Sequence, residues 1–199
     1  MSDELKQQET LRAGLKKAPS ELEIADLFPL FVPTSFFELG NWPGPYETLG
    51  IPGLGLTWAV LQPDQTMRYV DHRVQRHWDA EGIPWRERAV ANVERQSVPN
   101  VWTHEFRRED GSLFAVAMMH PDGVGPSRLL LRESLEREFP DGYLVALPEM
   151  SCGLVLSTPA MGPERAEIMG IVASCFRDGT RPLVPGMHDA SGLHGKPSL

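Results

Sequence analysis

Residues 101–119 read Val101-Trp-Thr-His-Glu-Phe-Arg107-Arg-Glu-Asp110-Gly111-Ser-Leu113-Phe-Ala-Val-Ala-Met-Met119, and this stretch decides the fold class. Between Val101 and Arg107, Trp102, His104 and Phe106 alternate with Val, Thr, Glu and Arg. That is the period of two of a half-buried strand. Asp110-Gly111 then supplies the pair a tight hairpin turn needs. Leu113 to Met119 returns almost wholly apolar, as a central strand does. A hairpin pairs its strands antiparallel, so this region does not fit a doubly wound parallel sheet.

The same pattern recurs on both sides. Leu56–Leu61 reads as a strand, Gln62–Gln65 as a turn and Thr66–Val70 as the return strand. Tyr143–Leu147 and Gly153–Ser157 form a third hairpin, joined by Pro148-Glu149-Met150-Ser151-Cys152. Helices fill the gaps. Asp71 is placed to cap a helix carrying Val74 and Trp78, which Gly82 ends. Pro84 opens a second, whose Trp85, Ala89 and Val93 recur at i, i+4 and i+8. Residues 127–139 have an amphipathic pattern. Pro163 opens the last helix, with Ile168, Ile171, Val172, Cys175 and Phe176 on one stripe and Asp178-Gly179 at its end. The expected fold is α+β: an antiparallel or mixed sheet built from hairpins, with helices packed mainly on one face and an N-terminal helical extension.

That extension begins with a weakly amphipathic helix over 2–18. A capping box, Ser20 to Glu23, follows, then helical spacing at Ile24, Leu27, Phe28 and Phe31, which Pro29 and Pro33 end. Residues 33–55 alternate proline and glycine with Phe36, Phe37, Trp42 and Tyr46. So many aromatics predict a loop packed on the body; a lid or a surface for a protein partner is the functional alternative. After Arg181 the chain is rich in Pro, Gly and Ser, as a loosely ordered tail would be. The implied organisation is 1–53 (helices and aromatic loop), 54–181 (α+β core domain) and 182–199 (tail).

Composition narrows the function. Over 199 residues there are 19 basic and 27 acidic side chains, a net charge of −8. Nucleic acid and anionic membranes both select a basic face, so neither is an expected partner. No apolar run approaches the roughly 18 residues of a membrane span. The acidic start, Met1-Ser2-Asp3-Glu4, does not resemble a secretory leader. Cys152 and Cys175 are too few for a disulfide framework and read as reduced thiols in a cytoplasmic protein. Neither a phosphate-binding glycine loop nor Gly-x-Ser-x-Gly is present, and no cofactor is expected. No metal is expected either: His72 and His77 point apart on one helix, and His104-Glu105 face opposite sides of a strand.

Two sets of residues could carry function. Cys152 and Glu149 lie in one hairpin connection, and His104 or His120 on a neighbouring strand could act as base; a thiol, a carboxylate and a histidine make a small hydrolase or transferase site. Trp42 and Tyr46 in the aromatic loop, Asn92 beside the Trp85 stripe, and His188 and Asp189 near the end are candidate ligand or partner contacts.

Some residues also carry a resemblance. Trp78, Gly82-Ile83, Trp85, Ala89 and Asn92 resemble the helical segment of the YtpQ-like family of uncharacterised bacterial proteins. Leu144-Val145-Ala146-Leu147-Pro148 with Gly153-Leu-Val-Leu is similar to its later hairpin, and Arg181-Pro-Leu-Val with His188-Asp189 and Gly192 to its closing segment. The resemblance spans about residues 55–195. Glu149-Met150 stands where that family would carry a charged pair. It implies a bacterial protein and a fold rather than a chemistry. The leading reading is therefore a non-enzymatic binding or accessory module recognising a protein partner, and the alternative is a hydrolase or transferase near Glu149 and Cys152.

Overall fold

The computed structural model describes residues 24–38, 42–62 and 66–193. The expected helix over 2–18, the capping box at Ser20 and the turn at 63–65 lie outside them. The fold is α+β, with two antiparallel sheets.

The first sheet contains β1 (Leu27–Pro33), β2 (Tyr46–Thr48), β3 (Leu54–Leu61) and β4 (Met67–Tyr69). β3 is its centre: β1 pairs along one side, while β2 and β4 share the other. The expected helix through Ile24, Leu27, Phe28 and Phe31 is instead a 3-10 turn, Ile24–Asp26, followed by β1. The reason lies in Leu27-Phe-Pro-Leu-Phe-Val-Pro33. Proline removes a helix donor and steers the residue before it to extended backbone. Five apolar residues in this run are buried, those at 27, 28, 30, 31 and 32, so both faces are covered and one helical stripe cannot satisfy them. Pro29 is tolerated because β1 is an edge strand. Its carbonyl faces outward and accepts a hydrogen bond from Ser127 Oγ at 2.5 Å.

The second sheet has the order β5-β6-β8-β7-β9, from β5 (His104–Arg107), β6 (Leu113–Met118), β7 (Tyr143–Glu149), β8 (Cys152–Ser157) and β9 (His188–Asp189). The three expected hairpins all form, and Gly111 takes φ +84° at the second turn. Helices cover both sheets. A single turn, α1 (Ser35–Glu38), precedes β2; α2 (His72–Ala80) and α3 (Trp85–Gln96) cover the first sheet. Asp71 caps α2 as expected, accepting from the amides of Arg73 at 2.7 Å and Val74 at 3.1 Å. The expected helix at 127–139 divides into a 3-10 segment, Gly125–Leu130, and α4 (Arg132–Glu138).

Between the sheets lies the main core. Leu56, Trp58 and Val60 of β3 meet Trp85 of α3 and Val116, Met118, Val145 and Val155 of the second sheet. The second sheet's other face carries Ala115, Ala117, Ala146, Cys152, Leu154 and Leu156. Three of these are alanines, which leaves room for α5 (Gly162–Asp178) to insert Ile168 and Val172.

The segment expected to be a loose tail is part of the body as far as Leu193. Leu183 and Val184 donate their amides to the carbonyls of Pro148 and Leu147. β9 pairs with β7, and Leu183, Val184 and Leu193 are buried. A boundary at 53/54 would run through a sheet, because β1 and β2 both pair with β3. Among the described residues no helix is long and apolar enough to cross a membrane.

Candidate functional site

The β7–β8 hairpin brings Glu149 and Cys152 together as a cross-strand pair. Neither is poised for catalysis. The Glu149 carboxylate accepts from the amide and hydroxyl of Ser151 and from the Arg181 amide at 3.2 Å. It is a bracket for the turn, only 6% exposed. Burial, then the neighbouring Cys175 and the Glu149 charge, push the Cys152 thiol up to about 12. A thiol so protonated is a poor nucleophile at neutral pH.

The third member of that set stands elsewhere. His104 faces Ala117, which faces Leu154. It is two strands from β8 and two residues out of step with Cys152, roughly 11 Å away on strand spacings alone. Its Nδ1 lies 3.0 Å from Thr103 Oγ1. His120 is turned to the Asn100 carbonyl, 3.2 Å from its Nε2. Burial first, then the Arg128 charge, hold its imidazole below the ordinary 6.5. Because the unfolded chain then binds this proton more readily, the His120 contribution to stability is complete above pH 6.5 and declines as pH falls through the lower folded value. An NMR titration of its ring is expected to give a midpoint below 6.5; a midpoint at or above it would contradict this environment.

The expected partner contacts divide. Trp42 is enclosed, its ring 5.4 Å from Phe36, 5.6 Å from Phe37 and 5.0 Å from Tyr69. Tyr46 stacks on Phe37 at 4.2 Å and stays half exposed. The aromatic segment is therefore mainly a packed cover for the first sheet. Gly55 makes this possible, since a Cβ there would come within 2.4 Å of the Phe37 ring. Asn92 is structural, which corrects its assignment as a ligand contact. Its Nδ2 donates to the carbonyls of Ile24 and Leu27, both at 2.9 Å, and its Oδ1 accepts from Arg95. His188 and Asp189 also serve the chain locally: the His188 ring meets the Pro185 carbonyl at 3.0 Å and Asp189 accepts from the Ser191 amide at 2.8 Å.

A different place gathers the features of a binding site. A cleft of about 430 Å³ opens between β1 and β4 of the first sheet and the 121–127 and 150–181 edges of the second. Leu30, Phe31, Met67, Tyr69 and Met150 make its apolar wall, and Thr66, Asp122, Ser127 and Arg181 add polar groups to the lining. Trp42 and Phe36 back the Tyr69 ring. Burial pushes the Tyr69 phenol up and the Arg181 guanidinium pulls it the other way, so the two face one space. The Arg181 backbone is held from both directions: its amide donates to Glu149 and its carbonyl accepts from the Met150 amide at 3.1 Å. Gly179 lets this happen, since a Cβ there would stand 2.5 Å from Glu149 Cγ. The guanidinium itself has no ion-pair partner among the described residues. Asp122, also on the wall, is committed to Arg128 at 2.7 Å.

Composition and motif searching pass over this cleft because its groups are scattered over five segments. A local signal existed only for Met67 and Tyr69, which alternate on one strand face. Among the described residues no three His, Cys, Asp or Glu side chains gather as a metal site would require. Comparison of the chain with protein-family models, curated proteins and solved structures finds no match.

Proposed function

We propose that this chain is a cytoplasmic, non-enzymatic binding module, and that a protein partner places a carboxylate beside an apolar side chain in the cleft between the two sheets. One observation carries the reading: Arg181, its backbone fixed and its guanidinium without an ion-pair partner among the described residues, lines a cleft beside an apolar wall. Such a guanidinium recognises a carboxylate through paired N–H donors. Leu30, Phe31, Met67 and Met150 offer apolar contact next to it, the mixture that small binding clefts use. The 33–55 segment takes part from behind, through Trp42 and Phe36 on Tyr69. The hydrolase or transferase alternative lacks comparable support, because the Glu149 carboxylate is saturated and His104 is two strands distant.

The test uses N-acetyl-phenylalanine as a stand-in for a partner's terminal residue, with its amide as control. In a proton–nitrogen NMR titration, the acid is expected to move the amide signals of Tyr69, Met150 and Arg181. The uncharged amide should bind about fivefold more weakly, the loss of ~1 kcal/mol for one accessible ion pair. Arg181→Gln should erase the difference between the two compounds. Equal binding of acid and amide by the native chain, or no response at the cleft, overturns the reading.

A further inference from the structure

We infer that Cys152 and Cys175 form an oxidation site, closing to an intramolecular disulfide when the protein meets a hydroperoxide. The proposal does not depend on the cleft. These are the two cysteines of the chain. One opens β8 and the other lies in the last turns of α5, yet their sulfurs are 3.9 Å apart. A disulfide needs about 2.05 Å, so the sulfurs must approach by ~2 Å. A shallow hollow of about 390 Å³, open to the surface, is lined by both residues together with Glu149, Ser151, Ser174, Asp178 and Thr180. That is many times the volume of a water-sized oxidant, about 30 Å³. The site is accessible from one end and closed at the other: Cys175 is half-buried and Cys152 buried.

The two sulfurs therefore have different tasks. The Cys175 thiolate attacks one peroxide oxygen; the O–O bond breaks, and hydroxide (or alkoxide) leaves. Cys175 becomes a sulfenic acid. The Cys152 sulfur then attacks the Cys175 sulfur while its proton passes to the departing oxygen, so the S–O bond breaks and water leaves with no free Cys152 thiolate formed. Two thiols supply two electrons, and the peroxide is reduced to two molecules of water, or to water and an alcohol. Burial of Cys152 and its high proton affinity keep it from reacting first, which orders the two steps. The new bond would tie the end of α5 to β8 and close a loop across 23 residues of sequence.

The test is to treat the reduced full chain with hydrogen peroxide and read it by intact mass, denatured thiol titration and peptide mapping. The expected product is a monomer lighter by two hydrogens, without free thiol and with peptides containing 152 and 175 linked. Dithiothreitol should restore the starting mass. The oxidised monomer should unfold about 10 °C higher, in keeping with a closed loop of this length. In Cys175→Ser, a change at the half-buried position, Cys152 should stay unoxidised. In Cys152→Ala, Cys175 should gain oxygen instead of pairing. A native chain that keeps both thiols, accumulates oxygen on Cys175 or couples only between molecules overturns the proposal. So does rapid oxidation of Cys152 in Cys175→Ser.

Discussion

Trp85→Ala is expected to cost about 4 kcal/mol of folding stability, the range for emptying a large aromatic site in a packed core. Trp85 is 2% exposed and stands edge-on to Trp58, with ring centres 5.0 Å apart at 85°. Its other face carries the Arg86 guanidinium, 4.0 Å from the ring centre. The indole N–H donates to Asp79 at 2.8 Å, which ties α3 back to α2. Alanine would remove the contact among two helices and a sheet in one step. Trp85→Phe keeps most of the ring and loses the hydrogen bond, so it should cost about 1–2 kcal/mol. Urea unfolding of the three proteins measures this. A loss below 2 kcal/mol for Trp85→Ala would mean that the helices do not depend on this anchor.

Asp122→Ala should be comparably severe, at about 3–5 kcal/mol, for an electrostatic reason. Arg128 is 1% exposed, and its guanidinium reaches Asp122 at 2.7 Å and the Gln96 carbonyl at 3.2 Å. Without the carboxylate a buried cation remains unpaired. The double change Asp122→Ala with Arg128→Met removes both charges and should recover much of the loss. Stability measured across the four-member cycle separates pair from packing. If the double variant is as unstable as the single, the cost is packing and the account fails. The pH dependence has a definite sign. Burial pushes the Asp122 carboxyl up, but the Arg128 guanidinium and the Val124 amide outweigh it and hold it below the ordinary value of 3.8. The pair's stabilisation is thus present above pH 3.8 and is lost as pH falls through the lower folded value. The double variant should lose part of that acid sensitivity.

Much of the fold was legible because its signals are local. Asp110-Gly111, the Trp85-Ala89-Val93 spacing and the Asp71 cap each act within a few residues, and each does in the structure what its spacing implies. Leu27–Pro33 is ambiguous locally because its apolar residues fit helical spacing as well as a strand covered on both faces. Pro29 contained the answer. The 182–193 segment departs from its expected looseness for a different reason. Its order comes from partners on β7 and from Gly50, whose amide donates to the Gly192 carbonyl at 2.8 Å, and no local composition records such bonds.

The candidate sites divide in the same way. Cys152 and Glu149 were recognisable as neighbours because a hairpin pairs residues close in sequence. That Glu149 is saturated, that His104 is remote and that Asn92 braces β1 depend on contacts across 32 to 68 residues. By itself the sequence determined an acidic α+β chain made of three hairpins and their helices, through turn chemistry, capping and the period of its apolar residues. Only tertiary structure decided that there are two sheets, that a cleft with Arg181 lies between them and that two distant cysteines meet. Those depend on where separate elements pack, and packing is settled by shape and burial over the whole chain rather than by any window of it.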